Sequence, residues 1–202
     1  MVKVRVLRAG SGPVDVAGVL LTPGAGATRD NRTLVALDAA LTAAGLPVRR
    51  VDLPRGATAA PTRVREEADA FAADLGVGTE RLVVGGRSFG GRMSSMAVAD
   101  GLAVAGLLLL SYPLHPPGRP DRLRVEHLPH ITVPVLAVSG ATDPFGTPDE
   151  LATHLATLAG PTTLVVVPGA HGPADAPVVA AVRDWLTRRP GPPGPGDVHP
   201  VS

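Results

Sequence analysis

The sequence predicts an α/β fold in which a mostly parallel β-sheet is covered by helices on both faces. Short apolar runs alternate with longer amphipathic segments along almost the whole chain. Most of these runs are continuously apolar, which is typical of parallel strands that are buried on both faces. The chain has 202 residues, of which 45% are hydrophobic. This is enough for one domain with a sizeable core.

The first predicted element is an outer strand, because residues 2–10 alternate apolar and polar side chains. An apolar strand over 16–23 ends in Gly-Ala-Gly, and a helix over 30–45 follows it. Apolar residues recur in this helix at helical spacing: Leu34, Leu37 and Leu41. We expect Asp30 to be its N-cap and Gly45 to stop it.

The rest of the chain continues the alternation of strands and helices. The predicted strands are 47–54, 81–86, 104–112, 133–140 and 162–169, and the predicted helices are 62–76, 88–101, 147–160 and 175–189. Connections between parallel strands of one sheet are right-handed crossovers. We predict one domain over 1–188 with no large lid domain, followed by a flexible Pro/Gly-rich tail over 189–202.

The composition excludes several classes of protein. Lys plus Arg number 19 against 18 acidic residues, so charge alone draws the chain neither to nucleic acid nor to a membrane. Aromatic residues make up only 2%, too few for base-stacking surfaces. The chain has no cysteine, which excludes disulfides and thiolate catalysis. The N-terminus has no signal-peptide h-region, so we expect a cytoplasmic protein. The partner that we expect is a small-molecule substrate.

Candidate site residues follow from the topology, because ligands of such sheets bind beyond the carboxyl ends of the strands. The residues expected at those ends are Gly24 to Arg29, Asp52, Arg87, Ser88, Tyr112 to His115, Asp143, and Gly169 to His171.

Ser88 is the strongest candidate among them, since Gly86-Arg87-Ser88-Phe89-Gly90 is a G-x-S-x-G motif between a strand and a helix. A nucleophile on such a sharp turn needs tiny neighbours two residues away, so that strand and helix can pass closely. The Phe89 amide, at the helix N-terminus, then points at a developing oxyanion. An ordinary Gly-rich turn with an N-cap serine is the alternative.

A serine nucleophile needs a base and a carboxylate that orients it. His171 directly follows the last predicted strand, and Asp143 follows the strand before it. The order Ser88, Asp143, His171 is the nucleophile–acid–histidine order of one hydrolase class. The alternative is a turn-forming Asp143 and a solvated loop His171.

Other residues are expected to complete the site. The amide of Ala25 or Gly26 is predicted to be the second oxyanion donor. Arg87, Tyr112 and His115 are predicted to contact substrate. Arg29 and Arg32 could join Arg87 and favour an anionic substrate, although surface salt bridges are the preferred interpretation. With so few aromatic residues, we expect aliphatic pocket walls, covered by the loop over 112–132.

A dinucleotide site is a weaker interpretation. Gly24-Ala25-Gly26 follows a strand, and Asp52 ends the next one, as in dinucleotide-binding folds. However, Arg29 stands where close packing requires a third glycine. A P-loop is excluded, because no Gly-Lys-Ser/Thr follows these glycines.

Several segments together resemble a known family: "PGAGA", "GGRSFGGRMSS", "LLLLSYPLHPPGRPDRLRVEHLP", "VPVLAVSGATDPFG" and "VPGAHG". They are similar to the small α/β-hydrolase-like family of bacterial alpha/beta family hydrolases, which also includes a subunit of a eukaryotic chromatin acetyltransferase complex. Dienelactone hydrolases are more distantly similar. The resemblance runs from about Val16 to Trp185 and places Ser88, Asp143 and His171 at the triad positions. Pro23 departs from it, because a histidine usually stands there.

The sequence therefore predicts an α/β-hydrolase fold and a serine esterase or related acyl hydrolase that needs no metal or organic cofactor. Because fold alone does not fix function, a non-catalytic scaffold or binding module is the alternative.

Overall fold

Seven strands form one sheet in the computed structural model, which describes residues 1–187. The strands are β1 (Lys3–Arg8), β2 (Gly18–Thr22), β3 (Val48–Arg50), β4 (Leu82–Arg87), β5 (Gly106–Leu110), β6 (Val135–Gly140) and β7 (Thr162–Val167). The helices are α1 (Arg32–Thr42), α2 (Ala60–Leu75), α3 (Phe89–Ala99), α4 (Pro148–Leu155) and α5 (Asp175–Thr187), with short 3₁₀ turns at Thr79–Arg81 and Leu128–His130.

The strand order is β1-β7-β6-β5-β4-β2-β3, and every pair is parallel except β1 with β7. The predicted mostly parallel sheet with an outer first strand is therefore confirmed. Gly86 pairs with Thr22 on one side and Leu109 on the other. The strands on both sides of β4 thus end at the same edge as β4, and the loops that follow them meet there.

Helices cover both faces of the sheet. One face packs against α2, α3 and α4 through residues such as Val64, Met93 and Leu151. The other face packs against α1 and α5 through Leu34 and Val182, which are fully buried. Strands β2, β4, β5 and β6 are buried on both faces, apart from the partly exposed last residue of β4. This is the three-layer arrangement that their continuously apolar sequences predict.

Two helix starts differ from the expectation. The N-cap of α1 is Asn31, whose side-chain oxygen accepts a hydrogen bond from the Thr33 amide at 3.1 Å. Asp30, the predicted cap, instead accepts a hydrogen bond from Arg50 at 3.0 Å. Helix α2 begins two residues earlier than predicted, at Ala60, because proline is favoured in a first turn and Pro61 occupies that position.

The connection between β5 and β6 carries only the short turn Leu128–His130, so the described residues contain no lid domain there. This loop is fastened to α3 by His127, whose Nε2 lies 2.7 Å from the Ser95 hydroxyl oxygen. The Ser95 hydroxyl donates to the Arg92 carbonyl at 2.7 Å, so Nε2 is the donor toward Ser95. The loop thus docks on the helix that begins at Ser88.

We expect His127 to make stability depend on pH. Burial, and secondarily Arg92, lower the pKa of His127 from 6.5 to about 4, whereas Glu126 opposes the shift. As the pH falls, His127 is protonated in the unfolded chain before it is protonated in the folded one. The contribution of neutral His127 to the free energy of unfolding is therefore fully present above pH 6.5 and is lost as the pH falls toward 4. Between pH 6.5 and pH 4, the midpoint temperature of unfolding should therefore fall less steeply with pH in His127→Gln than in the wild type.

The comparison is made by thermal unfolding of the wild type and the variant across that pH range. Equal slopes for the wild type and His127→Gln would contradict the prediction.

None of the helices between residues 1 and 187 is long and apolar enough to cross a membrane. The predicted tail over 189–202 lies outside the described residues.

Candidate active site

Ser88 stands on a sharp turn between β4 and α3. Its φ of 50° and ψ of −114° put a residue other than glycine in the left-handed half of backbone space. Such strain persists only where the surroundings enforce it. Here the Ser88 amide donates to the Leu110 carbonyl at 2.8 Å, and its carbonyl accepts from the Arg92 amide at 3.0 Å. The turn is thus fixed to β5 on one side and to α3 on the other.

The glycines of the motif are required by close packing. A Cβ on Gly86 would collide with the Thr22 carbonyl, and a Cβ on Gly90 would lie 2.5 Å from the carbonyl oxygens of Thr22 and Pro23. Thr22 itself donates through its hydroxyl to the Gly85 carbonyl at 2.9 Å. The end of β2 therefore presses directly against the turn, which is the spatial reason for the G-x-S-x-G pattern.

Replacing Gly90 with alanine should lower the free energy of unfolding by about 1–3 kcal/mol, the usual cost of overpacking. The comparison variant is Gly24→Ala, because a Cβ on Gly24 meets nothing closer than 3.6 Å. Chemical denaturation of both variants checks this. If Gly90→Ala is as stable as Gly24→Ala, the packing account of the motif is wrong.

Asp143 follows β6 and is completely removed from solvent at its side chain. Its Oδ1 accepts a hydrogen bond from the Phe145 amide at 2.9 Å, and its Oδ2 accepts one from the Ser139 hydroxyl at 3.4 Å. Hydrogen bonds that a carboxylate accepts stabilise its ionised form and fix its orientation.

His171 links Asp143 to Ser88. Its Nδ1 lies 3.0 and 2.9 Å from the two Asp143 carboxylate oxygens, and its Nε2 lies 2.8 Å from Ser88 Oγ. With Asp143 ionised, Nδ1 carries the proton, which leaves Nε2 to accept from the Ser88 hydroxyl. The Phe145 ring lies 4.1 Å from the imidazole, between ring centres, and restricts its rotation.

The loops that carry these two residues are tied together. The Thr142 amide donates to the Gly169 carbonyl at 3.0 Å, and a Cβ on Gly140 would collide with the Ala170 carbonyl. The Arg87 guanidinium donates to the His171 carbonyl at 2.8 Å from the other side. The structure thus brings the three predicted residues into one continuous hydrogen-bonded chain.

Two predicted oxyanion donors lie beside Ser88. Phe89 is the first residue of α3, and its amide has no hydrogen-bond partner among the described backbone groups. Ala25 lines the same cavity, next to Gly24, which approaches the Ser88 side chain. Gly26, the alternative donor, does not line the cavity and has a φ of 73° with open space around it.

A cavity of about 460 Å³ opens in front of Ser88. Its lining residues are Gly24, Ala25, Arg87, Ser88, Phe89, Arg92, Pro113, Arg124, Phe145 and His171. The expectation of aliphatic walls is wrong, because two phenylalanines and three arginines make up half of the lining residues. Volumes of this size suit small organic ligands.

Tyr112 and His115 are not in the lining, contrary to the prediction for them. Tyr112 is 1% exposed, and its hydroxyl donates to the Arg124 carbonyl at 2.7 Å. His115 is also buried, with Nδ1 2.9 Å from the Pro116 carbonyl and Nε2 3.7 Å from a Glu150 oxygen. The Tyr112 side chain is thus bonded within the loop, and the His115 side chain lies between the loop and α4.

Arg29 and Arg32 form surface ion pairs, with Asp52 at 3.8 Å and Asp175 at 2.9 Å. This agrees with the preferred interpretation for these two arginines, whereas Arg87, for which surface salt bridges were also expected, has no acidic partner among residues 1–187. Asp52 also accepts a hydrogen bond from the Arg29 amide at 2.6 Å. The carboxylate that would bind the ribose of a dinucleotide is therefore already bonded to the Arg29 backbone.

Arg92 and Arg124 were not predicted as site residues, yet both line the cavity. Arg92 lies in the first turn of α3, and helical side chains lean toward the N-terminus, where Ser88 stands. That signal was present in the sequence. Arg124 lies in an irregular loop, where no sequence periodicity predicts which way a side chain points.

The part of the chain that the structure describes contains no cluster of three or more His, Asp or Glu side chains arranged to hold a metal ion. The polar side chains that line the cavity are the Ser88 hydroxyl, the His171 imidazole and three guanidinium groups. The predicted absence of a metal or organic cofactor stays a prediction.

Comparison with known proteins identifies one matching family and several solved structures of similar fold. Residues 15–173 match the sequence model of the family described as alpha/beta hydrolase domain. Est1E from Butyrivibrio proteoclasticus, solved with ferulic acid bound, superposes with a TM-score of 0.70 at 16% identity, over 92% of this chain and 94% of that one. Dienelactone hydrolase from Anabaena variabilis gives 0.66 at 20% identity, over 92% and 95%.

A Bacillus cereus carboxylesterase gives a TM-score of 0.63 at 16% identity, over 92% and 94% of the two chains. At such low identities these similarities establish the fold alone. The predicted kinship with the chromatin acetyltransferase subunit stays a prediction.

Proposed function

The chain belongs to the alpha/beta hydrolase domain family, and on this premise we propose that it is a serine hydrolase that cleaves esters of small molecules. The observation that carries the proposal is the continuous chain from Ser88 Oγ through His171 to the buried Asp143, at 2.8 Å and 2.9 Å. Geometry and roles, rather than fold, are what identify such a triad. The proposal retains the sequence-based expectation of a cytoplasmic protein with a small-molecule substrate.

In the first half of the proposed reaction, Ser88 Oγ attacks the ester carbonyl while His171 Nε2 takes its proton. The carbonyl oxygen becomes an oxyanion, which the amides of Phe89 and Ala25 stabilise as hydrogen-bond donors. Asp143 stabilises the imidazolium that forms and does not itself take up the proton. The tetrahedral intermediate then collapses, and His171 gives the proton to the leaving alcohol.

In the second half, a water molecule attacks the acyl group on Ser88, and His171 Nε2 takes the proton of that water. Collapse of the second intermediate breaks the bond between Oγ and the acyl carbon, and His171 returns the proton to Oγ. The carboxylic acid leaves, and the enzyme is restored. One base thus serves both halves, because it regains its neutral form at the end of each.

The class of scissile bond is supported by the solved structures of similar fold. They include a carboxylesterase and a dienelactone hydrolase. The cavity supports a small substrate, because it measures only about 460 Å³ and the loop between β5 and β6 adds no large domain over it. We therefore place simple esters and lactones before thioesters and amides.

The proposal is tested by hydrolysis of p-nitrophenyl butyrate, with the corresponding anilide as the amide comparison. We expect release of p-nitrophenol from the ester and little release of p-nitroaniline from the anilide. A well-folded chain that cleaves neither substrate, nor a panel of thioesters and lactones, would contradict the proposal. That outcome would favour the non-catalytic scaffold and direct attention to protein partners.

A further inference from the structure

Positive charge is concentrated around Ser88 and is not neutralised by the fold. Arg87, Arg92 and Arg124 all line the cavity. Among residues 1–187 none of the three forms an ion pair with a carboxylate, whereas Arg29 and Arg32, outside the lining, each have an acidic partner. Arginines left unpaired in a concave site are the usual means of binding an oxyanion.

Arg87 already has a task within the site. One of its terminal nitrogens donates to the His171 carbonyl at 2.8 Å, and a Cβ on Gly172 would lie 3.1 Å from the same nitrogen. Burial, followed by the charge of Arg32, lowers its pKa, although Asp143 partly compensates. Arg87 is thus a positioning residue for His171, and the capacity to bind an anion falls to Arg92 and Arg124.

Arg92 is aimed at the reaction centre by the helix that carries it. Its amide donates to the Ser88 carbonyl at 3.0 Å, so Arg92 lies in the first turn after Ser88. Helical side chains lean toward the N-terminus, which here is the end with Ser88. Its Nε is buried and has no hydrogen-bond partner among the described residues. A buried donor without a partner is costly and calls for an explanation, such as a ligand.

Arg124 reaches the same cavity from the loop between β5 and β6. Its carbonyl is held by the Tyr112 hydroxyl at 2.7 Å, and its Nη1 makes a long contact of 3.4 Å with the Pro113 carbonyl. Burial, followed by the charge of Arg92, lowers the pKa of Arg124, so the two guanidiniums repel each other. Glu126, the acidic residue nearest in the loop, is exposed and forms no ion pair with either arginine within residues 1–187.

We propose that Arg92 and Arg124 form a subsite for a carboxylate or phosphate group of the substrate, so that the preferred substrates are anionic esters. This inference rests on the proposed hydrolase function. An oxyanion between the two guanidiniums would relieve their repulsion. Phe89, Phe145 and Pro113 supply apolar walls for the carbon chain between this group and the scissile carbonyl.

The position of the subsite limits the length of the substrate. Ser88 directly precedes α3, Arg92 lies in the first turn of that helix, and both line the same cavity. The anionic group should therefore lie a few bonds from the ester carbonyl. Short dicarboxylic half-esters meet this requirement.

The test compares p-nitrophenyl hemiadipate with p-nitrophenyl methyl adipate, which has the same length but no charge. We expect the wild type to prefer the anionic ester by about tenfold or more in kcat/KM, the effect of a charge-assisted hydrogen bond. Arg92→Gln and Arg124→Gln should each reduce that preference about tenfold. Arg122→Gln is the matched control, because Arg122 is exposed in the same loop and does not line the cavity.

Further arms keep the test decisive. Arg92→Lys retains the charge without the planar fork and should give an intermediate preference. If Arg92→Gln does not fold, this variant and Arg124→Gln carry the test. Competition by adipate and by inorganic phosphate distinguishes a carboxylate subsite from a phosphate subsite, since the better-matched anion should inhibit at lower concentration.

The two possible failures can be told apart. If both esters are hydrolysed equally well and the arginine variants change nothing, the subsite is refuted and the hydrolase function stands. If neither ester is hydrolysed, the proposed function fails, and calorimetric titration with adipate and phosphate tests the arginines by themselves. Absence of binding to the wild type would then overturn the subsite, and binding that Arg92→Gln abolishes would support it.

Discussion

Replacing Ser88 with alanine is expected to lower kcat for p-nitrophenyl butyrate roughly a million-fold, the typical cost of removing a triad nucleophile. The change removes only the hydroxyl oxygen that lies 2.8 Å from His171 Nε2. Backbone strain at φ 50° is unchanged, because alanine has the same Cβ. Thermal unfolding should therefore remain close to that of the wild type.

The control for this prediction is another serine in the same helix. Ser94 is fully buried, and its hydroxyl lies 3.3 Å from that of Thr22, away from the cavity lining. Ser94→Ala should keep most of the activity, although removing a buried hydrogen bond can lower stability by about 1 kcal/mol. Comparable activity of Ser88→Ala and Ser94→Ala would contradict the mechanism.

The second large effect is expected for Asp143→Asn, which should lower kcat about ten thousand-fold. The Phe145 amide donates to one oxygen of the side chain, at 2.9 Å, and would retain the carbonyl oxygen of the asparagine there. The amide NH₂ would then face His171 Nδ1 and donate to it. His171 would carry its proton on Nε2 and could not accept the proton of Ser88.

Steady-state kinetics and thermal unfolding of Asp143→Asn check this prediction. Asp149→Asn is the matched control, because Asp149 is exposed and pairs with Arg5 on the surface at 2.6 Å. We expect its activity to equal that of the wild type. A loss below tenfold in Asp143→Asn would show that the carboxylate does not set the state of the imidazole.

The sequence could predict the backbone of the site because strand ends are governed by pattern. Continuously apolar runs define where β4, β6 and β7 stop, and parallel strands stop at one edge. Ser88, Asp143 and His171 were therefore predictable as neighbours. Their hydrogen-bonding distances depend on the contacts between loops, such as that of Thr142 with Gly169, which no pattern encodes.

Side-chain direction in loops could not be predicted in the same way. Tyr112 and His115 follow β5 as expected, yet both are buried, because burial of a large ring is favourable and the Tyr112 hydroxyl and His115 Nδ1 each find a carbonyl within the loop. Arg124 points into the cavity from the same loop. With arginine so frequent in this sequence, only the structure separates the two arginines of the proposed subsite from those on the surface.

The most direct test of the central claim is intact-mass measurement after treatment with a fluorophosphonate, beside Ser88→Ala. This reagent phosphonylates an activated serine without requiring knowledge of the substrate. The account predicts one adduct on the wild type, located at Ser88, and none on the variant. A folded wild type that stays unlabelled, or a Ser88→Ala protein that is labelled equally, would contradict it.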